Sequence, residues 1–276
     1  MSPSEYVNVY VKLPAYFDNN DVTTVSILNY LQSGLGTQSQ RAQAAQNALF
    51  SAITKDNGFP HGPPASFDVD GTTVLRNALR RVFMGKGAPD EIQTALLLGS
   101  KYDLVSSSTS WTYCSKNLGV DCGGFVANYW GIGKPTTDAQ EPFGWSGFKP
   151  RTLWNMNRAL RRGSVGDIQI GDAVVSFRKV QSSNPDLTGS EAFHIGVVSY
   201  ILEGDSSDQL QLWIAESSGA VRNDGANGVN ERKIGAVTLK QAVQLVYFEA
   251  PDNVRGYFLG PATAPTPYDA QYYATA

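Results

Sequence analysis

Asp121-Cys122-Gly123-Gly124-Phe125-Val126-Ala127-Asn128-Tyr129-Trp130 is the stretch on which the reading of this chain turns. Asp121 suits a helix N-cap, which places Cys122 in the first helical turn. The positive end of a helix favours a thiolate over a thiol, so a cysteine there is chemically primed. Gly123 and Gly124 carry no side chain that would keep a substrate backbone away from the sulfur. Phe125, Val126 and Tyr129 supply a buried side for the same helix. A core cysteine with no chemical task has the same local signature, so the segment alone leaves both readings open.

A thiolate nucleophile needs a base, and the chain has only 2 histidines. His61 lies in His61-Gly62-Pro63-Pro64, a loop sequence. His194 lies in Ala192-Phe193-His194-Ile195-Gly196-Val197-Val198-Ser199-Tyr200, a β-branched run that predicts a core strand. An imidazole inside such a strand is costly without a partner or a task. Gly196, two residues on, leaves the same face open beside the ring. A further strand, Leu212 to Ala215, ends in Glu216, a carboxylate suited to orienting His194 through its second nitrogen. A satisfied core histidine and a solvated strand-end carboxylate are the alternatives. Ser217 and Asn223 are weaker candidates for the orienting role.

Around these segments the chain divides by texture. The alternation of Val7, Val9 and Val11 predicts an opening strand. Helices are expected over Val22 to Leu35, Gln40 to Ile53, Val74 to Phe83, from Pro89 to Gly99 and near Leu153 to Leu160. Gly58 to Pro64 and the serine-rich run Ser106 to Ser110 are expected as loops. Strands are expected at Ala173 to Phe177, His194 to Ile201, Leu210 to Ala215, Leu245 to Phe248 and Tyr257 to Leu259. Helices followed by antiparallel strands make an α+β order.

With 42% hydrophobic and 17% charged residues over 276 positions, the chain can bury a core. A net charge of −3 gives no basic footprint for nucleic acid. Arg158, Arg161 and Arg162 form a small basic cluster, expected on a solvated helix face. No run of about 20 apolar residues is present to span a bilayer. The first 14 residues carry neither the basic nor the apolar region of a secretory signal, so a cytoplasmic protein, or one exported by a route other than Sec, is expected. The 2 cysteines, Cys114 and Cys122, are expected as free thiols. The histidines and cysteines lack zinc spacing, so no metal site and no cofactor are expected.

Asp121-Cys122-Gly123-Gly124-Phe125-Val126, Ile168-Gln169-Ile170-Gly171-Asp172-Ala173-Val174-Val175-Ser176-Phe177 and Phe193-His194-Ile195-Gly196-Val197-Val198 follow one another as the signature elements of the NlpC-type cell-wall cysteine peptidases do. The resemblance covers roughly residues 90–259. It implies an α+β, papain-like fold, with the helix bearing the cysteine packed on an antiparallel sheet bearing the histidine. It implies Cys122 as nucleophile, His194 as base and Glu216 in the third catalytic position, where the family often has a second histidine. Ala95, Leu98, Gly99 and Tyr102 match the helix that opens such domains. Tyr102 or Tyr113 would then line the site, with Asp121 and Gly123 beside the nucleophile. Gly123 replaces the serine that the family places after its cysteine.

By the same resemblance the substrate is an amide of peptidoglycan stem peptides, cleaved through a thioester. The expected organisation is a mostly helical region over residues 1–88, a hydrolase domain over 89–262 and an extended tail over 263–276. If the chain is an effector injected into a rival cell, its producer needs an immunity protein. Toxin-type deamidases or transglutaminases, acyltransferases, and a catalytically inactive binding module are the competing classes.

Overall fold

The computed structural model describes residues 1–17, 21–32, 34–132, 149–156, 158–180, 186–219, 228–242 and 244–261. The expected C-terminal tail and Asn223 lie outside the described residues.

The chain opens with a helix, α1 (Pro3–Val11), where alternating valines predicted a strand. Its buried residues are Pro3, Tyr6, Val7 and Tyr10, a spacing of three and four that belongs to a helix. Ser2 and Glu5 close a capping box, and Pro3 sits in the first turn. A short hairpin follows, β1 (Leu13–Tyr16) against β2 (Val22–Val25). The helix expected over Val22 to Leu35 does not form. Leu28 and Leu35, which supplied half of its periodicity, are exposed, whereas Ile27 and Leu31 are buried in irregular backbone.

α2 (Gly36–Asp56) buries Ala42, Gln46, Leu49 and Ile53 along one face, as expected of a helix in that region. A second hairpin, β3 (Ser66–Val69) with β4 (Thr72–Leu75), feeds α3 (Arg76–Val82). α4 (Pro89–Lys101) is opened by proline and two acidic residues. The serine-rich loop gives way to α5 (Ser110–Asn117). Then come α6 (Cys122–Tyr129), α7 (Pro150–Met156) and six strands: β5 (Ala173–Arg178), β6 (Glu191–Glu203), β7 (Gln209–Ser218), β8 (Gly228–Ala242), β9 (Leu245–Ala250) and β10 (Val254–Leu259).

These six strands correct the expected fold. They do not form the sheet of a papain-like NlpC-type domain; they close into an antiparallel barrel in the order β10-β5-β6-β7-β8-β9. Closure comes from β10, which pairs with β5 on one side and β9 on the other. It also depends on β8, which the sequence concealed: Glu231, Arg232 and Lys233 stand in the first half of that strand.

The apolar residues of the wall divide between two cores. Val174, Val198, Leu212, Ile214, Val246, Phe248 and Phe258 cluster almost entirely with other barrel residues and mark the lumen. Their chain neighbours Val175, Val197, Ala215 and Tyr257 join the cluster that contains the helices. Successive side chains of a strand point to opposite faces. These strands are therefore buried on both, which is why runs such as Ala173-Val174-Val175 and Ile195-Gly196-Val197-Val198 are continuously apolar.

α6 lies in the outer core, contacting β6 and β7. Phe125, Val126 and Ala127 are fully buried. Each fully buried large apolar side chain stabilises the fold by about 1.5–3 kcal/mol. On its other side α6 meets α1: the Tyr6 ring stands 5.4 Å from Phe125 and 5.5 Å from Tyr129. Gly124 packs directly on the segment before α4, since a Cβ there would sit 2.4 Å from the Gly85 carbonyl oxygen and 3.0 Å from the Lys86 Cα. This second glycine of the Asp-Cys-Gly-Gly element serves packing against backbone, not access to the sulfur. Gly124→Ala is expected to destabilise the protein by about 1–3 kcal/mol in urea unfolding, through forced overpacking. Gly166→Ala, where an added Cβ meets nothing within 4 Å, is expected to change stability by less than about 0.5 kcal/mol.

Candidate functional site

Cys122 begins α6, and Asp121 caps it. One Asp121 carboxylate oxygen accepts the Gly124 N–H at 2.6 Å, and the other accepts the Lys86 ammonium at 2.5 Å. The Asp121 N–H donates to the Gly85 carbonyl at 2.8 Å. Gly85 holds this contact with φ +75°, in a place where a Cβ would collide with the Leu31 carbonyl. Burial pushes the Asp121 carboxyl up; the Lys86 charge and the N–H groups of Gly124 and Gly123 oppose that rise. Asp121 and Gly123, expected beside a substrate, are thus both buried, and Asp121 is committed to holding the helix start.

Cys122 is 4% exposed, and the Tyr30 hydroxyl stands 3.9 Å from its Sγ. Burial first, then the Cys122 and Asp121 charges, push the Tyr30 phenol well above its usual range. Tyr30 therefore keeps its proton at neutral pH; its hydroxyl donates to Gln32 Oε1 at 3.4 Å, and in the contact with sulfur either group can be the donor. The other thiol, Cys114, is buried in α5 and pushed up to about 12 by desolvation. Both cysteines are free.

His194 and Glu216 meet. His194 Nε2 lies 2.8 Å from Glu216 Oε2, with the histidine side chain 17% exposed and the carboxylate 1% exposed. Glu216 stands opposite Gly196 in the β6–β7 ladder. A Cβ at Gly196 would sit 3.0 Å from the Glu216 Cβ and 2.5 Å from Ile214, so this glycine leaves room for the carboxylate beside the ring. The same carboxylate is also met by a guanidinium: Arg232 of β8 approaches with Nε 3.1 Å from Oε1 and a terminal nitrogen 3.4 Å from Oε2. With Nε2 occupied by Glu216, Nδ1 is the nitrogen left for proton transfer.

The two halves lie at the same end of β7. Ser217, the residue after Glu216, donates its hydroxyl to the Val120 carbonyl at 2.5 Å, two residues before Cys122. Alternation turns Ser217 toward the helical layer and Glu216 toward the lumen side, with Ile214. No hydrogen bond joins Cys122 to His194 among the described residues. Ser217, a weaker candidate for orienting His194, is committed to the loop before α6.

Tyr102 and Tyr113 are not brought to the thiol. The Tyr102 hydroxyl donates to Asp56 at 3.3 Å. Tyr113 lies beside Arg41, Ala45 and Asn117, and its buried hydroxyl has no hydrogen-bond partner. The tyrosine at the sulfur is Tyr30, which the sequence hid inside a run that reads as a helix. Arg232 was hidden by the charges of β8, and Lys86 by its glycine neighbours. His61 is exposed in a turn. Within the arginine cluster Arg158 is exposed as expected, but Arg162 donates twice to buried Asp172, at 2.9 and 2.7 Å, and Arg161 pairs with Asp186. No group of three or more potential metal ligands is present among the described residues. No described helix is long and apolar enough to cross a membrane.

Compared with protein-family models, curated proteins and solved structures, the chain matches none of them.

The two thiols differ in setting, and alkylation reads the difference. Iodoacetamide at neutral pH is expected to modify Cys122, at a helix N-terminus beside a proton donor, at least about tenfold faster than Cys114. Equal rates in peptide mass mapping would remove the basis for a reactive Cys122.

Proposed function

We propose that this protein is a cysteine-dependent amide hydrolase that works through a thioester. The observation that carries the reading is the 2.8 Å contact between His194 and an almost fully buried Glu216, at the end of the barrel where the Cys122 loop is anchored. A buried carboxylate on one imidazole nitrogen fixes the ring's tautomer and stabilises the imidazolium that forms when the other nitrogen takes a proton.

In the proposed sequence Cys122 Sγ loses its proton to His194 and attacks the amide carbonyl. The tetrahedral oxyanion is held by the Cys122 N–H at the helix start and by the Tyr30 hydroxyl. His194 returns the proton to the leaving amine, and water attacks the thioester with His194 again as base. The missing hydrogen bond between Sγ and the ring in the free protein is compatible with this route, because such contacts tighten when substrate binds. The resemblance of the Asp-Cys-Gly-Gly-Phe-Val and His-Ile-Gly elements to the NlpC-type peptidases supports a peptidoglycan stem peptide as substrate. A hydrolase for that substrate would act at a cell envelope, with an immunity protein protecting a producer.

One observation favours a second reading. Because Sγ and the imidazole are not bonded, His194, Glu216 and Arg232 also fit a purely structural network in a binding module without activity.

Mass analysis of peptidoglycan digested with wild type and with Cys122→Ala separates the two. New amide cleavage products are expected from wild type alone. Glu216→Gln keeps a hydrogen-bond acceptor and Glu216→Ala removes it. The expected order of kcat is therefore wild type, Gln, Ala, with the Ala loss about ten- to a thousandfold and with Cys122→Ala and His194→Ala lower still. If no amide in peptidoglycan, protein glutamine or acyl-lipid substrates is altered by wild type, the binding-module reading stands.

A further inference from the structure

The Glu216 carboxylate is shared. One oxygen faces His194, and the Arg232 guanidinium spans both, at 3.1 and 3.4 Å. Arg232 is not a bystander from the same strand: it comes from β8, where it stands opposite Ile214 in the ladder with β7. It crosses to the carboxylate diagonally, and its side chain is 38% exposed.

Arg232 adds a hold on the second oxygen of this 1% exposed carboxylate, whose terminal torsion is broad and roughly twofold. Rotation would lift Oε2 away from Nε2 and release the ring. A guanidinium offers a rigid planar fork that holds both oxygens, as an ammonium does not. Its charge also makes the buried carboxylate tolerable before the imidazole is protonated, because an unpaired buried charge is expensive. The neighbouring charged groups are engaged elsewhere: Glu231 accepts from Ser4, Lys233 lies over the Trp213 ring, and Lys86 is bound to Asp121.

Resting on the hydrolase reading above, we propose that Arg232 is a positioning residue for the reaction, acting through Glu216 to keep the His194 ring in its working orientation. It touches no reacting atom. It makes the orienting group a pair, carboxylate and guanidinium, contributed by two different strands.

A double-mutant cycle on the full chain tests this, with muropeptide hydrolysis as one readout and Cys122 alkylation by iodoacetamide, which needs no substrate, as the other. Arg232→Gln is expected to lower kcat about tenfold with KM changed less than about twofold. Alkylation of Cys122 is expected to slow in parallel. Arg232→Lys, which keeps the charge without the fork, is expected to recover part of both rates. In the Glu216→Gln background, adding Arg232→Gln is expected to change neither, because the route through the carboxylate is already gone. A residue that only braced the β7–β8 ladder would lower the melting temperature and leave kcat and alkylation unmoved. Unchanged rates in Arg232→Gln, or a full additive loss in the double variant, would overturn the proposal. Should Arg232→Gln fail to fold, Arg232→Lys carries the test, and full wild-type rates in it would overturn the need for the fork. Activity surviving in Cys122→Ala would instead overturn the hydrolase reading, whatever Arg232 does.

Discussion

Asp121 is held by three bonds at once, and the placement of Cys122 depends on that. Its carboxylate caps α6 through the Gly124 N–H, its charge is met by Lys86, and its backbone N–H is bound by Gly85. All of this is buried, so none of the bonds competes with water. Removing one partner of such a pair leaves an uncompensated charge in the interior, at a cost of about 3–5 kcal/mol. The same backbone segment that supplies Lys86 also receives Arg81 and Asn128, through the Lys86 carbonyl. A single polar knot therefore joins α3, α6 and the segment before α4, and fixes the depth at which the thiol sits.

Against this knot the barrel contributes a second, separately built device. β6 brings an imidazole, β7 a carboxylate and β8 a guanidinium, three consecutive strands each giving one side chain. Their order along the wall is set by ladder register, because a slip by one residue would turn Glu216 to the helical layer and Ser217 to the lumen. Ser217 guards against that slip through its bond to Val120. The residue that ties the wall to the thiol-bearing loop is thus the neighbour of the residue that orients the histidine.

The short segment from Asp121 to Trp130 was legible because a cap, a helix and its buried face are all local properties. His194 and Glu216 were legible as polar residues in otherwise apolar strands, which demand partners. The barrel was not. Closure is decided by which strands pair at the ends, and β8, carrying Glu231, Arg232 and Lys233 in sequence, has the composition of a surface segment. Nor was α1 legible, since alternating valines and a helical set of Pro3, Tyr6, Val7 and Tyr10 occupy the same nine residues; the Ser2–Glu5 capping box and packing against Phe125 and Tyr129 favour the helix. Tyr30 was lost for a related reason: Val25, Leu28, Leu31 and Leu35 have helical spacing, yet two of the four leucine and valine positions face solvent.

The closing strand has a consequence for how the molecule is made. β10 must return to β5 from far along the chain, and Ser4 of α1 bonds Glu231 of β8 across almost the whole sequence. Contacts so distant in sequence are slow to form, because the loops they close are long. During synthesis the helical segment with Cys122 leaves the ribosome before any of the six wall strands. Until β10 arrives, β5 and β9 each present an unpaired edge able to pair with another chain. The protein therefore passes through a stage in which its thiol is already built and its barrel is still open, and self-association during folding is the hazard of that interval.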